Sequence, residues 1–345
     1  MKIAVIGGAG FIGCNLAKRW LDEGCEVIVF DNLSRRGTGS NLDWLRKSYP
    51  DKTGFIKGDI RTDSNKLSEL VEQVDAVYHL AAQVAVTTSV IDPREDFMIN
   101  ALGTFNVLEA IRKSKKRPSI VYSSTNKVFG KMDDLNVRET KDRYEYENAP
   151  NGISEDRPLD FYSPYGCSKG CGDQYVRDYA RIYGIKSVVF RQSCIYGERQ
   201  FGVEDQGWVA WFTIAATLGK PFVIYGNGKQ VRDILYIDDL TNALKMAVEK
   251  IEITKGRVYN IGGGAANTMS LLELIAYLEE FLGKKLSYSY DDWRPGDQKV
   301  FVSNVQKAGR EFGWAPKTGP REGVKKLVAW VKENQKMIEQ QLQSK

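Results

Sequence analysis

"KIAVIGGAGFIGCNLAKRWLDEGCEVIVFDNLS", residues 2 to 34, passes from a short apolar run through a glycine cluster and a helical pattern to a second apolar run that ends in an acid. Short apolar runs bounded by glycine read as strands, and apolar residues recurring every three or four positions read as an amphipathic helix. The stretch is therefore a βαβ unit. Gly7, Gly8, Gly10 and Gly13 satisfy both GxGxxG, counted from Gly8, and GxxGxxG, counted from Gly7. Glycine is required because a side chain would block the tight turn, the approach of a pyrophosphate and the packing of helix on strand. The helix begins near Phe11 and Ile12 and offers unpaired N–H groups and a positive dipole end to phosphate.

Outward from this unit the alternation continues. "TGFIKGDI", a helix around 64 to 73, "DAVYHLAA", a helix around 96 to 114, "PSIVYSS", a helix from about 164 to 183 and "KSVVFRQS" follow in turn. Continuous apolar strands are expected where helices cover both faces of a parallel sheet. The expected fold is α/β, a doubly wound parallel sheet of the Rossmann type with a smaller mixed α/β lobe. Residues 1 to 190 plus about 236 to 264 would bind a dinucleotide; residues 191 to 235 plus about 265 to 345 would form the substrate lobe. The stretch from Lys131 to Asp160 reads as a long loop, either a binding loop or a surface insertion. The tail "KENQKMIEQQLQSK" reads as a solvated helix.

Composition bounds the function. A chain of 345 residues with 42% hydrophobic residues buries a large core. Its 49 basic and 44 acidic residues are evenly mixed and leave a net charge of +5. That suits an anionic small ligand, whereas nucleic-acid binders carry a basic stripe. The densest basic run, "RKSKKR" at 112 to 117, falls at a helix C-terminus, where cations complement the dipole. No nucleic-acid or membrane partner is expected, since no run approaches 18 apolar residues. Five cysteines, Cys14, Cys25, Cys167, Cys171 and Cys194, with no secretory signal, point to thiols in a reducing cytoplasm. His79 is the single histidine, so neither a histidine-built zinc site nor a histidine-based hydrolase is expected. The Cys167 and Cys171 pair lacks the partners to complete a metal tetrahedron, and no metal is expected.

Asp31 ends the second strand 18 residues beyond Gly13. A carboxylate there accepts from a ribose 2′-OH and repels a 2′-phosphate, so the cofactor is read as NAD despite the nearby Arg35 and Arg36. Asn32, Ser34 and Arg35 adjoin it as further cofactor candidates. Tyr165 and Lys169 stand four apart on one helix face, behind a start marked by Ser163 and Pro164. Lowering a tyrosine pKa from near 10 to near 7 requires about 4 kcal/mol of preferential phenolate stabilisation. A lysine ammonium together with a positively charged nicotinamide can supply it, making Tyr165 a general base toward a sugar hydroxyl.

With these residues in view, the sequence resembles the extended short-chain dehydrogenase/reductases of the NAD-dependent epimerase/dehydratase type. The runs "GGAGFIG", "GDIR" at 58 to 61, "HLAAQ" at 79 to 83, "YSSTNKVFG" at 122 to 130, "YGCSK" at 165 to 169, "YGNGKQVRDILYIDD" at 225 to 239 and "RPGD" at 294 to 297 carry the likeness, with Asn100. The resemblance implies that Asp59 and Ile60 flank the adenine, that Leu80, Ala81 and Ala82 meet the phosphates and ribose, and that Lys169 meets the nicotinamide ribose. Gln83, Asn100 and Ser123 join the cofactor set. Thr125 takes the hydroxyl position of a Thr-Tyr-Lys triad, with Ser123 and Ser124 as alternatives.

Sugar 4,6-dehydratases of this family carry an Asp-Glu pair just after the triad hydroxyl. Here Asn126 and Lys127 stand there, which disfavours elimination and leaves epimerisation or net redox. "TNK" and "FGVEDQGW" resemble the branch that epimerises carbon 2 of CDP-linked deoxyhexoses, implying a CDP-sugar substrate and a 2-keto intermediate. Arg199, Arg232 and Arg294 are candidate diphosphate ligands, because guanidinium matches phosphate geometry. Lys127, Gln200, Gln206 and Tyr225 are further substrate candidates. Cys194 replaces the asparagine common in relatives. A 4-epimerase or reductase of another nucleotide sugar is the alternative, with a non-catalytic NAD- or RNA-binding role behind it. The family suggests a homodimer, or a tetramer.

Overall fold

The computed structural model describes residues 1–204, 206–294 and 296–343. Asp205 and Pro295, from the "FGVEDQGW" and "RPGD" runs, and Ser344 and Lys345 of the tail lie outside the described residues. The main sheet has seven parallel strands: β1 (Lys2–Ile6), β2 (Glu26–Asp31), β3 (Thr53–Lys57), β4 (Ala76–His79), β5 (Ser119–Thr125), β6 (Ser187–Gln192) and β7 (Arg257–Ile261). Their spatial order is β3-β2-β1-β4-β5-β6-β7, so the chain reverses direction across the sheet between β1 and β4.

Alternation along these strands explains why they read as unbroken apolar runs. Ile3, Val5, Val27 and Val29 face one apolar cluster, while Ala4, Ile6, Ile28 and Phe30 face another on the opposite side. The first cluster also holds Tyr196, Phe212, Leu274 and Trp330 from the expected second lobe, so a single core continues from the sheet into that lobe. There, Phe222–Tyr225 pairs in parallel with Tyr288–Asp291, and Val231–Tyr236 pairs with Cys194–Tyr196, Thr268–Ser270 and Val300–Phe301.

Three expectations need correction. The helix around 96 to 114 is three consecutive pieces: Pro93–Phe97, a π-helical turn Met98–Leu102, and Gly103–Lys113. The π turn is stabilised from outside the helix, because Asn100 within it bonds to Gln83 and Ser168. The stretch from Lys131 to Asp160 contains an antiparallel hairpin, Val137–Glu139 with Tyr144–Tyr146, and packs down onto the second lobe. Tyr144 joins Val231, Val300 and Val302 in a small cluster, and Ile153 N donates to the Val302 carbonyl at 2.7 Å. The C-terminal helix Gln335–Gln343 buries Ile338 and bonds Gln341 to Ser40, so one face docks on the body. Among the described residues no helix is long and apolar enough to cross a membrane, and the five cysteines are free thiols.

Candidate active site

Two cavities open where the strand order reverses, the position at which doubly wound sheets bind ligands. The smaller, about 220 Å³, lies at the C-terminal ends of β1, β2 and β3. Gly7, Gly10, Phe11, Ile12, Gly13, Asp31, Asn32, Ser34, Arg35, Asp59, Ile60, Leu80, Ala81 and Ala82 line it. Gly7 has φ +82°, and a Cβ on Gly13 would stand 2.2 Å from the Gly7 carbonyl oxygen. The residue that caps the helix Phe11–Asp22 is Gly10, which brings no capping side chain, so the first-turn N–H groups remain available to an anion. Asp31 Oδ2 accepts from Ala9 N and Oδ1 from Leu33 N, at 3.0 and 2.8 Å. Burial pushes its pKa up, opposed by these donors and by Arg35. Asp59 lies well below the usual carboxylate range because the Arg61 guanidinium grips both of its oxygens. A phosphate cradle of glycine backbone followed by an acid at the next strand end fits a dinucleotide.

The larger cavity, about 380 Å³, shares Phe11, Leu80, Gln200 and Gln206 with the first. Ser123, Thr125, Lys127, Tyr165, Lys169, Tyr225, Arg232 and Arg294 line it. Tyr165 and Lys169 belong to the helix Pro164–Tyr183, whose cap Ser163 sits at φ +99° and accepts from Gly166 N at 3.1 Å. Tyr165 N donates to Ser89 Oγ at 3.1 Å, which fixes the helix start. The Lys169 ammonium lies over the Tyr122 ring, 4.4 Å from its centroid. Burial pushes Tyr165 up to about 12, against the Thr125 hydroxyl and Arg35, and Asp96 adds to the rise. Burial also pulls Lys169 down to about 7, against Asp96 and Asp173. The protein's own groups therefore leave the phenol protonated, and the expected lowering needs the nicotinamide charge as well as Lys169.

Of the three candidate hydroxyls, Thr125 is the one that hydrogen-bonds the Tyr165 phenol. Ser124 Oγ is committed to Asp173, at 2.9 Å, and Ser123 Oγ to Gln192, at 3.0 Å. Lys127 is half-buried, with Nζ 3.1 Å from the Gly296 carbonyl oxygen, and desolvation plus Arg232 pulls its pKa to about 8. Arg294 stacks on Tyr225 at 3.6 Å and donates to the Glu204 carbonyl. His79 is fully buried, bonds Thr104 at 2.9 Å and is held near 3 by burial. Among the described residues no group of His, Cys, Asp or Glu side chains is placed to hold a metal.

A family model described as GDP-mannose 4,6 dehydratase matches residues 4–327. The CDP-paratose 2-epimerase of Salmonella typhi is 45% identical over 96% of this chain and 99% of its own length. The chain belongs to the NAD-dependent epimerase/dehydratase family. A putative UDP-glucose 4-epimerase of Methanocaldococcus jannaschii is 32% identical over 96% of this chain and 99% of its own. Among solved structures, the UDP-glucuronic acid 4-epimerase of Bacillus cereus, in complex with UDP-glucuronic acid and NAD, superposes with TM-score 0.83. It is 29% identical over 96% of this chain and 99% of its own. A dTDP-glucose 4,6-dehydratase of Streptomyces venezuelae with NAD superposes with TM-score 0.85, at 28% identity over 99% of this chain and all of its own.

Several candidate residues stand in other surroundings than the sequence suggests. Arg199 lines the smaller cavity, not the larger, with its guanidinium 3.8 Å above the Trp44 ring. Its backbone is left-handed, with φ +66°. Gln83 and Asn100 lie behind the cavity wall: the Gln83 side chain bonds Ala85 and Asp96, and Asn100 bonds Gln83 and Ser168. Gln206 bonds Arg35 and so bridges the two cavities. Gln192, Trp208 and Gln230 also line the larger cavity, and among the described residues Gln192 Nε2 and Gln230 Oε1 are buried without a hydrogen-bond partner. Trp208 and Gln230 lie within the runs "FGVEDQGW" and "GKQVRD", but nothing in their spacing marks them as wall residues.

Proposed function

We propose that this chain is an NAD-dependent nucleotide-sugar epimerase that inverts carbon 2 of CDP-paratose to give CDP-tyvelose. The observation that carries the reading is Tyr165 in the larger cavity with Thr125 and Lys169, while Asn126 and Lys127 occupy the positions where elimination needs an acid and a base. The near full-length likeness to CDP-paratose 2-epimerase supports the choice of sugar and carbon. The glycine cradle, the Asp31 carboxylate and the NAD-bound structural relatives support the cofactor.

NAD, when bound, supplies hydride acceptance and hydride return at the sugar carbon. Tyr165 takes the hydroxyl proton as the carbon becomes a ketone, and Thr125 donates a hydrogen bond to the reacting oxygen. A charged Lys169 stabilises the phenolate against the burial that holds Tyr165 high. Arg232, Arg294 and Lys127 anchor the diphosphate while the planar ketose presents its other face. Tyr165 then returns the proton, so no redox equivalent is gained or lost overall.

The test is product analysis in deuterated water. Turnover without added cofactor, release of NAD on denaturation and no deuterium at the inverted carbon are expected. Deuterium at that carbon would replace hydride transfer by proton abstraction. A panel of nucleotide sugars followed by NMR separates CDP-paratose from the UDP-, GDP- or dTDP-sugars of the alternative reading.

The enzyme is further read as a cytoplasmic homodimer joined through the helices Gly103–Lys113 and Pro164–Tyr183. Phe105, Tyr175, Ile182 and Tyr183 are exposed there, with Phe105 edge-on to Tyr175 at 6.0 Å. Light scattering on the purified protein tests this, and a monomer would remove it.

A further inference from the structure

Asp96 is the last but one residue of the short helix Pro93–Phe97 and is 1% exposed. Its Oδ2 accepts from Ser168 Oγ at 2.5 Å, and its Oδ1 accepts from Gln83 Nε2 at 2.8 Å and Asn100 Nδ2 at 3.1 Å. All three donors are neutral, so these bonds hold the carboxylate in place without cancelling its charge. Burying a carboxylate without a direct ion pair costs several kcal/mol. An asparagine of the same size would avoid that cost, which raises the question of what the charge does there.

Ser168 is the chain neighbour of Lys169, and the π-helical turn Met98–Leu102 sets Asn100 against both Asp96 and Ser168. The carboxylate thus sits behind the helix that carries Tyr165 and Lys169, aimed at the turn between them. We propose that Asp96 is a positioning residue for the Tyr165–Lys169 pair: its fixed buried charge keeps the Lys169 ammonium protonated and beside the phenol. The inference rests on the reading of Tyr165 as base.

Electrostatics across the surrounding elements agree. Asp96 and Asp173 both favour the charged form of Lys169, against burial. The neighbouring His79 is neutral, held near 3 by burial and by Lys169. Tyr122 lies beneath the ammonium and is pushed far up by burial, so it stays neutral. Arg35 favours the Tyr165 phenolate, whereas Asp96 opposes it. Asp96 therefore acts usefully through Lys169, since its direct influence on the phenol has the wrong sign.

The experiment reads Lys169 itself. Holoenzyme labelled with ε-13C lysine is titrated by NMR, with the Lys169 signal assigned as the one absent from K169M. In D96N the Lys169 midpoint falls by about one pH unit or more, and the alkaline limb of kcat/KM moves down with it. S168A, which frees the carboxylate from its shortest bond, gives a smaller fall in the same direction and serves if D96N does not fold. An unchanged midpoint in either folded variant overturns the proposal, even if activity drops. A shifted midpoint in a protein that epimerises no nucleotide sugar would leave Asp96 standing and remove the functional reading.

Discussion

The two cavities meet along Phe11, Leu80, Gln200 and Gln206, yet they are built from different material. The smaller is centred on a backbone cradle: glycines at a strand-to-helix turn, the ends of three neighbouring strands, and a single acid placed by each of β2 and the segment after β3. The larger is side chains from many separated segments, among them Lys127, Tyr165, Gln192, Trp208, Tyr225, Gln230, Arg232 and Arg294. A site built on backbone is fragile to a single methyl group but indifferent to most side chains. A site built on side chains fails one function at a time.

The sharpest way to break this contrast is Gly13→Ala. The new Cβ would stand 2.2 Å from the Gly7 carbonyl and 2.6 Å from Gly8 Cα, both backbone atoms that cannot move without opening the turn. Overpacking of this kind costs about 1–3 kcal/mol or more in stability. The variant should purify without NAD and show no activity, as read by cofactor release on denaturation and by thermal melting. A variant that keeps NAD would show that the cradle is looser than its geometry.

Tyr165→Phe probes the other cavity. It deletes one hydroxyl and leaves the ring that packs there, so folding and bound NAD should be unchanged. Turnover should fall by about 10²–10⁴, the usual contribution of a positioned base. A modest loss would shift the proton transfer to another group, with Thr125, Lys127 and Lys169 in the same wall.

The difference in material also explains which parts of the molecule are legible in its sequence. Glycine spacing, strand periodicity and the acid at Asp31 are local signals, so the sheet and the cofactor side can be read from the chain alone. Tyr165 and Lys169 are legible because one helix sets their spacing. Arg199 is misleading in sequence because the ring it stacks on, Trp44, comes from a distant segment that no local spacing reveals. Gln83 and Asn100 sit one layer further back than their motifs imply, because the π turn that engages them has no evident sequence signature. The hairpin at 137 to 146 hides in a polar stretch because its partners, Val231, Val300 and Val302, come from distant segments.

Lys127 sharpens the comparison through pH. Its pKa of about 8 is set by burial and by Arg232. Below that pH it is an ammonium facing an anionic substrate; as pH rises through it, the charge disappears. KM for the nucleotide sugar should therefore rise between pH 7 and 9, by about tenfold if the contact is worth 1.4 kcal/mol. K127M should have the high KM already at pH 7 and show no such rise. A wild-type KM that is flat across the window would confine Lys127 to its bonds with Gly296 and Gln298.

Arg199→Ala gives the smallest effect and asks which cavity the residue serves. Its guanidinium lies over Trp44 and lines the smaller cavity, where a solvent-screened charge contact with a bound pyrophosphate is worth about 1 kcal/mol. Losing it should speed NAD release about fivefold, measured by exchange against labelled NAD, while KM for the nucleotide sugar stays unchanged. The opposite pattern, a raised KM with NAD held as before, would return Arg199 to the diphosphate of the substrate. It would also mean that the Arg199 side chain leaves Trp44 when the sugar binds, while Asn15 and Asn41 still hold the Glu198 and Arg199 carbonyls.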